Sequence, residues 1–170
     1  KPSFLVESIH LDIQVYEQQT LVNSTLVMKR QSAGELILLG RDLELKSVQV
    51  NGQLLTREQY RLDSEQLVII DALDEVIIET QVIIHPESNT QLEGLYQAGD
   101  LFVTQNEPEG FRKITFYPDR PDVLSVFTTR VEADKKYPVL LANGNLLETG
   151  LVGENRHFAI WQDPTHKPSY

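Results

Sequence analysis

Gln105, Glu107 and Glu109 put an amide and two carboxylates on one short stretch, Thr104-Gln105-Asn106-Glu107-Pro108-Glu109-Gly110, punctuated by proline and glycine. Connections of this kind carry function more often than strands do. The chemistry open to such a group is the capture of a cation, most naturally an ammonium. A charge-assisted hydrogen bond to a carboxylate contributes about 1.5–3 kcal/mol. In an extended segment residues two apart share a face, so the spacing predicts Gln105, Glu107 and Glu109 on one side. The bland alternative is a solvated acidic loop. A second acidic word, Asp119-Arg120-Pro121-Asp122, reads as a turn whose side chains cap backbone groups and pair locally.

Other chemistries find no residues to carry them. His10, His85, His157 and His166 lack a second histidine or a carboxylate at zinc-binding helical spacing, so no metal ligand is assigned in this chain. No serine sits in a Gly-x-Ser-x-Gly turn and no glycine-rich phosphate loop is present, so no catalytic residue is assigned either. A net charge of −10 repels phosphate backbones and anionic lipid, which argues against nucleic acid and membrane surfaces as partners. The chain has no cysteine, which suits a reducing compartment and makes a cytoplasmic location the expectation. No apolar run approaches the ~18 residues of a membrane span.

Strands must position the acidic stretch. Ile9, Leu11, Ile13 and Val15 alternate with polar neighbours, which buries one face of a strand. The same pattern predicts strands over 21–29, 35–39, 43–50, 60–63, 66–70 and 76–84, the last stopped by His85-Pro86. Asn51-Gly52 signals a two-residue hairpin. Leu95-Tyr96 and Leu101-Phe102-Val103 form a second hairpin across Gly99-Asp100, leading straight into Gln105. A short helical turn is expected over 111–116. Strands resume over 123–133, 139–142, 146–149 and 156–162, with a turn at Asn143-Gly144. The tail 163–170 reads as a connection that stops where another strand could begin, so a piece of a longer protein is expected. The fold class is all-β, a sandwich or multi-sheet assembly with little helix.

From Leu92 to Tyr170 the chain also closely resembles the amino-terminal domain of the bacterial aminopeptidase N family of zinc metallopeptidases. The likeness rests on Leu92-Glu93-Gly94-Leu95-Tyr96-Gln97-Ala98-Gly99-Asp100 and on the run Thr104 to Thr115. It continues through Asp119-Arg120-Pro121-Asp122-Val123-Leu124, Phe127-Thr128-Thr129, Asp134-Lys135-Lys136-Tyr137-Pro138, Asn143-Gly144-Asn145 and Trp161-Gln162-Asp163-Pro164. The resemblance implies a saddle-like β domain spanning 1–170, packed against a thermolysin-like catalytic domain of the same chain. That other domain would carry Gly-x-Met-Glu-Asn, His-Glu-x-x-His and the Zn²⁺ ion. None of these motifs lies in residues 1–170, so this piece alone is expected to be inactive and to bind no zinc.

One family role maps onto these residues. The resemblance implies that Glu107 binds the free α-amino group of a peptide substrate and that Gln105 lines the first specificity pocket. Asn106 stands where relatives often have cysteine, and Pro108 where they have alanine. Relatives have a cis bond after that carboxylate, and proline accommodates it far better than alanine, so a cis Glu107–Pro108 bond is expected. The resemblance assigns no role to Glu109. Two other readings are a free-standing β-sandwich module whose acidic loop docks a basic partner, and a catalytically dead relative of the family.

Overall fold

Along β1 (Phe4–Val15) the buried side chains are Phe4 and Val6, then Ile9, Leu11, Ile13 and Val15. The phase changes once because the register against the next strand slips between Val6 and Ser8. A bulge inserts one residue and returns the apolar set to the same face. Alternation read from Ile9 onward therefore misses the first five residues of the strand.

The computed structural model describes residues 1–170. After β1 come β2 (Thr20–Arg30), β3 (Leu36–Leu39), β4 (Glu44–Val50), β5 (Gln53–Leu54), β6 (Tyr60–Leu62), β7 (Gln66–Ile69) and β8 (Glu75–Ile84). Then follow β9 (Gly94–Ala98), β10 (Leu101–Gln105), β11 (Ser125–Asp134), β12 (Asn145–Val152) and β13 (Arg156–Lys167). The only helical pieces are 3-10 turns at Arg57–Gln59, Pro86–Ser88 and Phe111–Lys113, and no helix is long and apolar enough to cross a membrane. The all-β, multi-sheet expectation holds.

Eight strands form one sheet in the order β12-β13-β11-β1-β2-β8-β4-β5; β3-β7-β6 form a second sheet and β10-β9 a hairpin. All pairings are antiparallel except β1 with β11. One face of the large sheet buries Val22, Leu26 and Met28 of β2 and Val76, Ile78 and Val82 of β8. It packs in one cluster with Leu36, Leu38, Leu67 and Ile69 of the small sheet and with Phe111, Ile114, Phe116 and Tyr117. This is the two-layer solution to burying amphipathic sheets. The predicted turn at Asn51-Gly52 forms with φ of 50° and 81°, joining Val50 to Gln53.

Two expectations are corrected. Residues 139–142 are not a strand; side chains of β13 instead meet one carbonyl within this stretch and one just before it. Trp161 Nε1 donates to the Leu140 carbonyl at 3.0 Å, and His157 Nε2 lies 2.6 Å from the Tyr137 carbonyl oxygen. Asn143-Gly144 is accordingly a bend entering β12, and the hairpin loop to β13 is Gly153-Glu154-Asn155. The second correction is that 163–167 are strand. Past Gln162 the partner β12 has ended, so Pro164 lies where β13 pairs on one side only, the position in a sheet that tolerates a missing N–H.

Candidate functional site

Residues 110–119 are buried, and Phe111, Ile114, Phe116 and Tyr117 join the core cluster shared by the two sheets. β10 pairs with β9 as far as Gln105↔Gly94, then the chain turns. The Gly110 N–H donates to the Asn106 carbonyl at 3.1 Å, closing a turn over 107–110 in which the Glu107–Pro108 bond is cis and Glu109 has φ 66°. Next comes the 3-10 turn at Phe111–Lys113, whose ring Phe111 packs edge-on against Tyr117 at 5.0 Å and Phe127 at 5.9 Å. Tyr117 then exchanges two backbone hydrogen bonds with Leu39 of β3, at 2.8 and 3.0 Å. Its hydroxyl meets Ser125 Oγ at 2.6 Å in the core, and burial pushes that hydroxyl up to about 12.

Gly110 is required for its small size. Its φ of −79° suits any residue, yet a Cβ there would lie 2.2 Å from the Gln105 carbonyl oxygen and 2.8 Å from Asn106 Cα. The chain entering the turn and the chain leaving it touch with no gap for a side chain.

The turn corrects the predicted side-chain alternation. Extended geometry ends at Gln105, so Gln105, Glu107 and Glu109 do not share one strand face. The Gln105 amide nitrogen donates to the Glu107 main-chain carbonyl at 2.9 Å. Glu109 approaches Arg112, with Oε2 3.6 Å from Nη1. The Glu107 carboxylate is exposed and takes part in none of the ion pairs around it.

Those neighbouring ion pairs define the electrostatics. Arg112 is buried and donates from its Nε to Asp119 Oδ2 at 3.0 Å. Lys113, whose side chain is 5% exposed, pairs with Glu93 at 2.9 Å and also meets the Gln91 amide oxygen. Arg41 grips Glu65 at 2.8 Å and gives its backbone N–H to the Arg112 carbonyl at 2.9 Å. The hydrogen bond from Lys113 holds the Glu93 carboxyl below the usual carboxylate range, and the one from Arg41 does the same for Glu65. Each cation flanking the turn is thus engaged by an acid other than Glu107. An anion left unmatched on a braced turn can accept hydrogen bonds from a ligand cation without first breaking an internal pair.

Asp119-Arg120-Pro121-Asp122 divides in two. Arg120 forks onto Asp122 at 2.8 and 2.9 Å, the local pairing expected. Asp119 instead reaches the buried Arg112 and accepts from Ser169 Oγ on the far side of the sequence. Neither Arg112 nor Lys113 stood out as structural in the sequence. The available signal was a pair of cations flanked by Phe111 and Ile114, apolar on both sides.

The residues present do not suit a metal. No three His, Asp or Glu side chains converge where an ion could be held. His85 Nδ1 sits between the Gln18 carbonyl and Glu87 at 3.0 and 3.1 Å, and His157 faces Tyr137. His10 on β1 and His166 on β13 are exposed.

Comparison with known proteins gives a consistent picture. The family model described as the Peptidase M1 N-terminal domain matches residues 6–170. Aminopeptidase N of Caulobacter vibrioides is 44% identical over 169 residues, covering 98% of this chain and 20% of the relative. Aminopeptidase N of Escherichia coli is 42% identical over 172 residues, 99% of this chain and 20% of the relative. The chain therefore spans about a fifth of the length of the curated relatives it matches. Among solved structures, Legionella pneumophila aminopeptidase A in complex with aspartic acid superposes with TM-score 0.92 at 29% identity, over 100% of this chain and 21% of that one. An M1 zinc metallopeptidase from Deinococcus radiodurans gives TM-score 0.82 at 16% identity, over 99% and 41%, a likeness of fold.

Proposed function

The chain belongs to the Peptidase M1 N-terminal domain family, and from that membership we propose that it forms one wall of the substrate cleft in a zinc-dependent aminopeptidase. Residues 1–170 are the amino-terminal β domain of that longer protein. Glu107 receives the α-ammonium of the peptide, and Gln105 borders the pocket for the first side chain. The remaining, catalytic part of the same polypeptide would hold Zn²⁺, which would supply Lewis-acid activation of the water that attacks the peptide bond. The His, Asp and Glu residues of this domain do not gather in threes, and none of them is assigned as a zinc ligand. A cytoplasmic setting fits a chain without cysteine.

The physical logic is that of a ruler. An exopeptidase must count from the end of its substrate, and the feature unique to that end is an ammonium with a reference pKa near 8. A fixed carboxylate at a set distance from the reacting carbonyl converts that charge into register. The supporting observation is the exposed Glu107 carboxylate on a braced turn whose neighbouring cations are all engaged elsewhere. A free-standing module with an acidic docking loop has less support, because relatives 40–44% identical carry this segment as a fifth of a longer chain.

In the full-length protein, Glu107→Ala should reduce kcat/KM on an aminoacyl arylamide roughly ten- to a hundredfold, the loss of one charge-assisted hydrogen bond. Unchanged kinetics would contradict the role. Loss of zinc-dependent hydrolysis in the unmutated protein would contradict the enzyme itself.

A further inference from the structure

Arg112 is buried, with its side chain 11% exposed, and no role in ligand contact is open to it from there. It makes more connections than any neighbour of the turn. Its backbone N–H and its Nε both donate to the same oxygen, Asp119 Oδ2, at 3.2 and 3.0 Å. Its Nη2 donates to the Asp119 main-chain carbonyl at 2.9 Å. Its own carbonyl accepts from the Arg41 N–H at 2.9 Å. The remaining nitrogen, Nη1, points at Glu109, 3.6 Å from Oε2. Glu109 is two residues from Glu107, on the far side of the proline, in the left-handed conformation that closes the turn.

The partner is anchored in its turn. Asp119 has a side chain 4% exposed and its second oxygen accepts from Ser169 Oγ. The guanidinium therefore ties the turn at 107–110 to Asp119, and Asp119 carries the link on to Ser169, 50 residues away and just past the end of β13. Lysine could supply the charge at this place but not a planar fork able to address Asp119 twice and Glu109 at once.

We propose that Arg112 is a positioning residue for amine recognition, fixing through Glu109 the place where Glu107 presents its carboxylate. This rests on the reading of Glu107 as the ammonium acceptor and deepens it. Arg112 itself touches no substrate. Its effect is geometric, since a recognition group displaced by about 1 Å can cost as much as a hundredfold in rate.

The test is a double-mutant cycle in the full-length enzyme with an aminoacyl arylamide as substrate. Arg112→Lys alone should lower kcat/KM about ten- to a hundredfold, mostly through KM. Placed on Glu107→Ala, the same substitution should change kcat/KM less than about twofold. A substrate analogue lacking the α-amino group should bind Arg112→Lys as it binds the parent, a readout that general loosening of the domain would move. Wild-type kinetics in Arg112→Lys, or an equal loss on both backgrounds, overturns the proposal. An unaffected Glu107→Ala single variant instead overturns the underlying reading, so the two failures are distinct. If Arg112→Lys does not accumulate folded, Glu109→Gln takes its place, because that side chain is 65% exposed. There a rise in KM of about two- to fivefold, absent on Glu107→Ala, supports the proposal, and an unchanged KM overturns it.

Discussion

Gly110→Ala isolates the close approach that braces the turn. The backbone at Gly110, φ −79° and ψ −25°, is open to alanine, so no conformational strain enters. Space is the whole effect. The new Cβ would lie 2.2 Å from the Gln105 carbonyl oxygen, against an ordinary contact that begins at 3.4 Å, and 2.8 Å from Asn106 Cα. Both obstacles are main chain and cannot rotate away, so the two arms of the turn must part by about 1 Å, an overpacking cost of about 1–3 kcal/mol. Glu107 rides on those arms. A shift of that size predicts a loss in kcat/KM approaching a hundredfold in the full-length enzyme, equivalent to about 2.7 kcal/mol of transition-state stabilisation. Gly153→Ala is the control: its φ is 58° and nothing lies within 4 Å of the added carbon, so it should cost about 1–2 kcal/mol of stability from the left-handed backbone and leave kinetics alone. Urea denaturation and steady-state kinetics on both variants decide the matter. Wild-type kcat/KM in Gly110→Ala, or an equal kinetic loss in Gly153→Ala, refutes the reasoning.

The buried Tyr117 hydroxyl, raised to about 12 from an ordinary 10.0, favours the protonated fold. Its contribution is complete below pH 10 and disappears as pH climbs through 12, a fall of about 2–3 kcal/mol for a shift of that size. Tyr117→Phe should lose about 1 kcal/mol at neutral pH by stranding Ser125 and should lack this alkaline fall. Urea curves from pH 8 to 12 that decline equally for both proteins would refute the assignment. Along the β12 edge, Val139, Leu146 and Leu151 are 67%, 51% and 71% exposed, around a groove that also includes Phe158 and Trp161. Chain 1–170 should self-associate through this patch, and Leu146→Glu with Leu151→Glu should return it to monomer in sedimentation without altering its circular dichroism. Association that persists in the double variant would place the sticky surface elsewhere.

Much of the architecture was legible because period-two burial is a local property. Ile9 to Val15, 76–84 and the Asn51-Gly52 turn follow from residue type and neighbour alone. The misses share a cause. Residues 139–142 have strand-like composition, but Trp161 claims the Leu140 carbonyl from across the sequence, and His157 meets the Tyr137 carbonyl just before it. Residues 163–167 contain a proline that looks like a stop, and become strand because one side of β13 is vacant there.

The acidic stretch divides along the same line. Residue types and the family likeness pointed to Gln105 and Glu107, placed them at the end of a hairpin, and anticipated the cis bond before Pro108. Which carboxylate stays unpaired was beyond local reading, since Glu107 and Glu109 are chemically identical and two residues apart. Tertiary structure separates them: Arg112 is three residues from Glu109, and its guanidinium is held in place by buried Asp119, which Ser169 anchors in turn. Where that guanidinium sits depends on contacts through space, and the one from Ser169 to Asp119, 50 residues apart, exists only once the sheets have packed.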